Sequence, residues 1–533
     1  MNYQPIIGLE VHVELNTRSK MFCSCPNDLS ERHPNVNICP ICLAHPGTLP
    51  VINKIAVRSV IKTGLALNCQ IPEYSKFDRK NYFYPDLPKG YQISQYDMPL
   101  CKGGFLNINP SILRQDQGRL ESNQKAARQV PKKIRIQRIH LEEDTGRLIH
   151  PEKESYSLVD FNRAGIPLME LVTDPDFRSA VDARRFAEEL RLILRYLKVS
   201  DADMEKGQLR VEVNISLIRA NSHSDGKSGI QVGQSKMGTK VEIKNLNSLR
   251  VVEKAIDYEI ERQAEILKSG KKIIQETRGW SDSKEVTVSQ REKEQAHDYR
   301  YFPEPDLPVL HITKKEIEGI KSEIPELPQQ KRERFQKEYQ LPDEEIEILV
   351  FFKDLGEYFE KVMSELRNWV KEVELKTKIS ENEFQRLIKL ASNYILTDLQ
   401  ALLRHSAELS RSQGISVSGK DFLITPENFA EFITLIYEGK ISSKIAKMIL
   451  NEMFQTGADP SHIIKEKGLE LITDTAEIEK IVKVVLAQDQ KAVKDYKKGK
   501  EGTLQFLVGQ VMKESRGKAD PQIAADFLKK LIT

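Results

Sequence analysis

The stretch GLEVHVEL, residues 8–15, alternates apolar side chains with three ionisable ones, Glu10, His12 and Glu14. This period of two predicts a β-strand with one face in the core and the other face polar. Taken alone, these eight residues favour a sheet face that simply meets water, and Glu14, nearest the end, is expected to be solvated. A site requires partners from elsewhere in the chain.

Two further segments repeat the design, LRVEVNISL at 209–217 and KVEIKNLNSL at 240–249. The sequence between the strands has apolar residues at helical spacing, which predicts amphipathic helices at about 52–67, 179–198 and 248–269. We therefore predict an α+β domain with a mixed or antiparallel sheet. Its polar faces are either solvated or combined into a polar basin.

The pattern changes near the proline cluster PEPDLPVL at 303–310, and from about residue 314 the signals are almost only helical. A Ser- and Gly-rich break follows at 411–425. We predict an α+β domain at 1–308, a helical domain at 309–412 and a small helical tail domain at 413–533. The length of 533 residues is compatible with several domains.

Composition excludes several classes of protein. The formal net charge is only +3, so any RNA contact must come from local clusters. The sequence has no run of about 18 apolar residues, and its start lacks the regions of a signal peptide. We expect a cytoplasmic protein, whose cysteines are more often thiols or metal ligands than disulfides.

Four cysteines form a C-x-C pair and, thirteen residues later, a C-x-x-C pair: Cys23, Cys25, Cys39 and Cys42. Four thiolates can surround one Zn²⁺ tetrahedrally, and a site closed in this way is structural rather than catalytic. The alternative is four unliganded thiols. Cys69 and Cys101 are expected to be ordinary buried residues.

Two segments concentrate carboxylates, RIHLEEDTGRL at 138–148 and LVDFNRAGIPLMELVTDPD at 158–176. Glu170 lies alone in an apolar run, where a carboxylate needs a cation or hydrogen-bond donors. Oxygen ligands with an occasional imidazole suit Mg²⁺ or Mn²⁺, and Mg²⁺ would fit phosphoryl transfer. The acidic run 142–144 by itself is also common in turns.

The segment FDRKNYFYPDLPKGYQISQYD at 77–97 combines tyrosines with arginine and lysine. Its rings could stack on a base and its cations could contact phosphates, although an ordered structural loop is the alternative. The chain has no Walker A motif, so any ATP must be bound by carboxylates, metal and backbone instead.

The tail has a local excess of positive charge around 494–522. Such a face either contacts an RNA backbone or is simply solvated. The candidate RNA-binding residues are Lys497, Lys498, Lys500, Lys513, Arg516 and Lys518.

Taken together, the motifs closely resemble those of one family, the B subunit of the aspartyl/glutamyl-tRNA(Asn/Gln) amidotransferase. The resemblance spans nearly the whole chain. It is carried by IGLEVHVELNTRSKMFC, FDRKNYFYPDLPKGYQISQYD, RIHLEEDTGRL, DFNRAGIPLMELVTDPD, GTKVEIKNLNSLR, AHDYRYFPEPDLP and LVGQVMKESRGKADP.

The resemblance implies ATP-dependent phosphorylation of the side-chain carboxylate of Glu-tRNA(Gln) or Asp-tRNA(Asn). Ammonia from a glutaminase, the A subunit, then gives the amide, and a small C subunit completes the heterotrimer. It also implies a cradle-like catalytic domain, a helical domain and a tail that recognises the tRNA. A non-catalytic, zinc-containing scaffold that binds tRNA is the competing hypothesis.

The resemblance also implies roles for individual residues. Catalytic and Mg²⁺-binding roles fall on His12, Glu143 and Glu170, and weaker metal-binding roles fall on Glu10 and Glu142. Contacts to ATP phosphates or substrate are assigned to Lys80, Arg210 and Asn214.

Overall fold

The computed structural model describes residues 3–108, 113–116, 119–122, 131–151, 154–219, 237–292, 298–374, 380–404, 423–469, 475–500, 502–515 and 518–532. The chain forms two compact units, Met1–Gln330 and Lys331–Thr533. Among the described residues, no helix is long and apolar enough to cross a membrane.

The strands of the first unit are β1 Tyr3–Glu14, β2 Tyr74–Ser75, β3 Asp78–Asn81, β4 Tyr91–Ser94, β5 Cys101–Lys102, β6 Phe105–Ile108, β7 Leu113–Asp116, β8 Arg119–Ser122, β9 Lys132–Glu143, β10 Arg147–Ile149, β11 Leu158–Asp160, β12 Pro167–Thr173, β13 Leu209–Arg219, β14 Val241–Leu246, β15 Glu276–Ser281, β16 Val286–Glu292, β17 Phe302–Pro303 and β18 Leu310–His311. Its helices are α1 Lys54–Ala66, α2 Ala180–Leu197, α3 Leu249–Lys268 and α4 Lys314–Ser322.

A nine-stranded sheet dominates this unit, in the order β16-β15-β14-β13-β1-β12-β9-β5, with β6 also paired to β9. Its pairings are antiparallel except for the parallel pair β14–β15. The mixed sheet is therefore confirmed. The three strands with the alternating pattern, β1, β13 and β14, are direct neighbours.

The apolar face of the sheet packs against amphipathic helices. The core unites Val11 of β1 and Val213 of β13 with Phe186 of α2 and Ile256 of α3, all fully buried. Each such side chain contributes about 1.5–3 kcal/mol on burial. Because helices cover the apolar face, a site on this sheet must be formed by the polar face of the same strands.

The predicted helix boundaries agree with the structure because capping residues fix them. Ser179 and Ser248 accept hydrogen bonds from Asp182 N and Val251 N, both at 3.2 Å, and so begin α2 and α3. Gly270, which adopts a left-handed φ of 77°, follows the end of α3.

Beyond the first unit, the described residues are mainly helical, as predicted. The helices are α5 Pro328–Tyr339, α6 Asp343–Phe351, α7 Lys353–Glu374, α8 Glu381–Tyr394 with a π-helical turn at Ile395–Leu399, α9 Pro426–Tyr437, α10 Ser443–Thr456, α11 Pro460–Glu466, α12 Thr475–Gln488, α13 Gln490–Lys497, α14 Gly502–Glu514 and α15 Pro521–Ile532. A separate apolar core joins α12, α14 and α15 through Val482, Leu507 and Leu528.

The division into three domains stays a prediction. In the structure, Ile312 and Ile320, which follow the proline cluster, belong to the core of the first unit. The Ser- and Gly-rich break lies mostly outside the described residues, which resume at 423.

Candidate functional site

Ionisable side chains from four strands meet on the polar face of the large sheet. In the strand register, His12 of β1 lies opposite Glu170 of β12 and Arg210 of β13. Glu170 in turn lies opposite His140 of β9. Because side chains alternate between faces, residues paired in this way project to the same side. The register thus gathers residues that are far apart in the sequence.

The centre of this face is a compact set of carboxylates and imidazoles, which we call the acidic basin: Glu10, His12, His140, Glu142 and Glu170. Glu170 Oε2 lies 3.4 Å from Nε2 of both His12 and His140. The His12 Nε2 atom is also 3.8 Å from Glu10 and 3.9 Å from Glu142. Glu170 is therefore held between two imidazoles.

The electrostatics of the acidic basin follow from this crowding. Burial opposes the charged imidazole, but the hydrogen bond and charge of Glu170 outweigh it and raise the pKa of His12 to about 9. For Glu10, burial and then the charge of Glu170 raise the pKa to about 7. Burial works against an ionised Glu170 as well, yet His140 and His12 hold its pKa well below the ordinary value.

This donor set fits a divalent cation. Within each of two overlapping groups, Glu10–His12–Glu170 and His140–Glu142–Glu170, the potential ligand atoms lie within 4.8 Å of one another. Buried carboxylates at such separations repel one another unless a cation or proton is shared between them. A mostly oxygen donor set with an imidazole suits Mg²⁺ or Mn²⁺.

A smaller sheet, β17-β3-β4, borders the acidic basin and delivers Lys80 to it. Ser94 of β4 donates to Glu142 Oε2 at 3.1 Å. Burial opposes the charge of Lys80, but the nearby Glu142 carboxylate and the Tyr301 hydroxyl raise its pKa above the ordinary range. The Lys80 ammonium lies 5.2 Å from the ring centroid of Tyr299.

The structure does not bring Glu143 into the acidic basin. Its oxygens accept from Lys89 Nζ at 2.7 Å and from Ile93 N at 2.9 Å. Together with Lys89, Glu143 lines a separate cavity of about 280 Å³. The physical reason is strand parity, because Glu143 shares the side of β9 occupied by Leu141 and Glu142 takes the opposite side. Metal binding by Glu143 stays a prediction that this placement does not support, and Glu142 is the glutamate that lies beside His12, His140 and Glu170.

A second polar network, beside the acidic basin, was not predicted. Arg163 contacts Glu14 at 2.8 Å and Asp144 at 2.7 Å, and Arg210 also contacts Asp144, at 2.9 Å. Glu14 is only 3 % exposed, so the expectation that it is solvated was wrong. Burial raises its pKa to about 7, although Arg163 opposes the rise. Arg163 and Asp144 were visible as charges in the sequence, but no spacing rule pairs them.

Of the remaining predicted contacts, Asn214 lies on β13 opposite Gly8. Its side-chain Oδ1 is buried and has no hydrogen-bond partner among the residues that the structure describes. A buried, unsatisfied carbonyl oxygen costs about 1–3 kcal/mol, which a ligand donor would relieve. Asn214 is thus available to a ligand. Arg210 is paired with Asp144 through Nη2, but its buried Nε likewise has no hydrogen-bond partner among the described residues.

The four predicted zinc ligands come together. The Sγ atoms of Cys23, Cys25, Cys39 and Cys42 all lie within 4.8 Å of one another, as one tetrahedral ion requires. A hydrogen bond from Cys23 lowers the pKa of Cys42 to about 5 despite burial. The Cys39 amide also donates to Cys42 Sγ at 3.1 Å. A thiolate held in this way is a metal ligand already prepared for binding.

The two other cysteines, Cys69 and Cys101, lie in the core as predicted. In the tail, the predicted tRNA-binding lysines at 497, 498, 500 and 513 are exposed and Lys518 is partly exposed, whereas Arg516 lies outside the described residues. Lys500 is partly neutralised by Asp495, 3.5 Å away.

The chain matches known protein families over most of its length. The GatB/GatE catalytic domain family matches residues 5–318, and the GatB domain family matches residues 357–532. The aspartyl/glutamyl-tRNA(Asn/Gln) amidotransferase B subunit of Persephonella marina is 48% identical over 100% of both chains. The proteins of the same name from Thermotoga maritima and Caldicellulosiruptor bescii are each 46% identical, over 99% or more of each chain.

Proposed function

The chain belongs to the family of aspartyl/glutamyl-tRNA(Asn/Gln) amidotransferase B subunits, and on this premise we propose that its acidic basin is the kinase and amidation site of that reaction. The substrate is tRNA(Gln) or tRNA(Asn) that carries the wrong acidic amino acid. The product is the amide, Gln-tRNA(Gln) or Asn-tRNA(Asn). The observation that supports this most directly is the buried set of carboxylates and imidazoles around Glu170.

The chemistry requires an activated acyl group, because a carboxylate is a poor electrophile. An oxygen of the substrate carboxylate attacks the γ-phosphorus of ATP, the bond to the β-phosphate oxygen breaks, and ADP leaves. Ammonia then attacks the carbonyl carbon of the acyl phosphate and displaces inorganic phosphate. Both steps need charge neutralisation and close positioning more than covalent help from the protein.

We propose that Glu10, His12, Glu142 and Glu170 hold a Mg²⁺ ion, which would neutralise charge on the transferring phosphoryl group. Lys80 adds a positive charge at the edge of the acidic basin. The unsatisfied Asn214 Oδ1 faces a hydroxyl or amino group of the substrate or nucleotide. Arg210, fixed by Asp144, contributes electrostatic attraction for phosphate.

The four-cysteine cluster holds a structural Zn²⁺ in this proposal. It fixes the loop at 23–42, whose Cys23 and Cys42 line the cavity beside Glu143. The tail supplies basic residues to the tRNA backbone. The partners are a glutaminase A subunit, which delivers ammonia, and a small C subunit, and the assembled complex works in the cytoplasm.

The proposal is tested on the full complex with the glutaminase and C subunits. ATP hydrolysis that depends on Glu-tRNA(Gln) or Asp-tRNA(Asn) is measured for the wild type and for Glu170→Ala. We expect turnover to fall by at least about 100-fold, since one removed charge-stabilising group commonly costs this much. Unchanged turnover in a folded variant would reject the kinase assignment and favour a tRNA-binding scaffold.

A further inference from the structure

Two tyrosines from distant parts of the chain form a parallel stack at the edge of the acidic basin. The rings of Tyr96 and Tyr301 lie 4.2 Å apart with an interplanar angle of 9°. Tyr301 covers one face of Tyr96, yet Tyr96 remains 60 % exposed. Within the described part of the chain, the opposite face of the Tyr96 ring is therefore open.

Backbone contacts fix both members of the stack. The amide of Tyr96 donates to Asp78 Oδ2 at 3.0 Å, and Asp78 is also bound by Lys76 at 2.6 Å. On the other side, Asn81 of β3 donates to the carbonyl of Tyr299 at 2.9 Å and, through its side chain, to the carbonyl of Arg300 at 2.8 Å. The stack is thus positioned before any ligand arrives, which lowers the entropic cost of binding.

The stack is close to the groups proposed to carry out the reaction. Tyr301 is near enough to Lys80 and Glu142 for their charges to act on its hydroxyl. Lys80 itself lies over the rings of Tyr82 and Tyr299, at 5.9 and 5.2 Å. Proteins that bind single-stranded nucleotides combine open aromatic faces, on which the bases stack, with cations that lie near the phosphates. The open face of Tyr96 and the half-buried Lys80 have this arrangement.

We propose that the open face of Tyr96, backed by Tyr301, stacks an adenine base next to the acidic basin. Adenine reaches this place from one of two sources, the 3′-terminal nucleotide of the charged tRNA or ATP. The inference rests on the proposed function, because only a reaction of tRNA with ATP brings these bases here. It goes further by assigning a base platform to residues that have no part in holding the metal.

The experiment uses the full complex and three variants: Tyr96→Ala removes the ring, Tyr96→Phe keeps it, and Tyr74→Ala is the matched control. Tyr74 forms a similar stack with His311, at 5.0 Å and 18°, and is 48 % exposed, but it lies in the separate sheet β18–β2. KM is measured separately for charged tRNA and for ATP. Binding of uncharged tRNA is measured with and without its terminal adenosine.

We expect Tyr96→Ala to raise one of the two KM values by about 5- to 100-fold, the range for loss of one base stack. Tyr96→Phe recovers most of this loss, and Tyr74→Ala stays within about twofold of the wild type. If the base belongs to tRNA, removal of the terminal adenosine weakens wild-type binding but adds nothing to the Tyr96→Ala defect. If it belongs to ATP, only the KM for ATP rises.

Unchanged KM values in Tyr96→Ala, together with an unreduced effect of the terminal adenosine, would overturn the inference. A failure of the proposed function looks different, because the wild-type complex would then show no hydrolysis of ATP that depends on charged tRNA. In that case the measurements on uncharged tRNA still decide whether Tyr96 stacks a base: an unreduced terminal-adenosine effect overturns the inference, and a lost one supports it.

Discussion

Replacement of Glu170 by glutamine tests the electrostatics of the acidic basin most directly. The carboxylate oxygen Glu170 Oε2 lies 3.4 Å from His12 Nε2. At that distance, and at an effective dielectric constant of about 20, two unit charges interact by about 5 kcal/mol. This equals about 3.5 pKa units, since one unit corresponds to about 1.4 kcal/mol.

This interaction is larger than the net rise of the pKa of His12, from about 6.5 to about 9, because burial opposes the charged imidazole. Without the Glu170 charge, we expect the pKa of His12 to fall by at least about two units. Glu10 and Glu142 remain 3.8 and 3.9 Å away and limit the fall.

The raised pKa of His12 makes the stability of the fold depend on pH. A raised pKa means that the folded state binds the proton more tightly than the unfolded state. His12 therefore contributes up to about 3 kcal/mol below pH 6.5, and this contribution is lost as the pH rises through 9. In Glu170→Gln, this part of the pH dependence of the melting temperature should largely disappear.

The assay is NMR titration of the histidine rings in protein kept free of metal, with the His12 signal assigned through His12→Gln. Glu212→Gln is the matched control, because Glu212 acts on His12 more weakly than Glu170 does and pairs with Lys244 at 2.8 Å. A His12 pKa that stays within about half a unit of the wild type in Glu170→Gln would refute the reasoning.

Four further predictions concern other parts of the molecule. Glu142→Gln should weaken the binding of Mn²⁺, measured by electron paramagnetic resonance, by at least about 10-fold. Glu143→Gln should change Mn²⁺ affinity by less than about threefold, because Glu143 is bound to Lys89. Equal losses of affinity in the two variants would show that strand parity does not select the ligand. Elemental analysis of Cys39→Ser should show the loss of about one equivalent of zinc. Cys69→Ser, which changes a cysteine of the apolar core, should keep its zinc. Zinc retained by Cys39→Ser would exclude a four-thiolate site. Lys498→Glu should lower the affinity for tRNA and reduce the slope of log K against log salt concentration by about one. Lys480→Glu, at an exposed position outside the predicted set, should change neither quantity. Identical effects of the two variants would mean that the tail attracts tRNA only by its general positive charge. Leu528→Ala should lower the free energy of unfolding of the tail core by about 2–5 kcal/mol and lower its melting temperature. Leu531→Ala, at an exposed position, should lower the free energy of unfolding far less. Equal effects of the two variants would mean that this core is not closely packed.

Local patterns in the sequence were sufficient for most of the secondary structure. The alternation in GLEVHVEL predicted β1, because a strand between core and solvent imposes a period of two on its side chains. The apolar spacing predicted α2 and α3, and Ser179, Ser248 and Gly270 lie at their ends, where capping depends on near neighbours in the chain. The spacing of the four cysteines predicted their cluster for the same reason, since the ligands lie on one short segment.

Strand parity, which is visible in the sequence, also separates Glu143 from the polar face of its strand. In RIHLEE, Ile139 and Leu141 mark the apolar side of the strand, so the next residue but one, Glu143, belongs to that side. His140 and Glu142 then share the polar side. A shift by one residue exchanges the two faces of a strand, and this separates the two neighbouring glutamates.

Only the tertiary structure decided which distant residues meet. The pairing of β1 with both β12 and β13 brings Glu170 and Arg210 to the two sides of His12. The pairing of β17 with β3 brings the segment of Tyr301 to the edge of the acidic basin. A period of two tells which side chains share a face of one strand, but the order of strands depends on the packing of the whole core. The sequence by itself therefore determined the elements and their polar faces, and the sheet order turned those faces into one site.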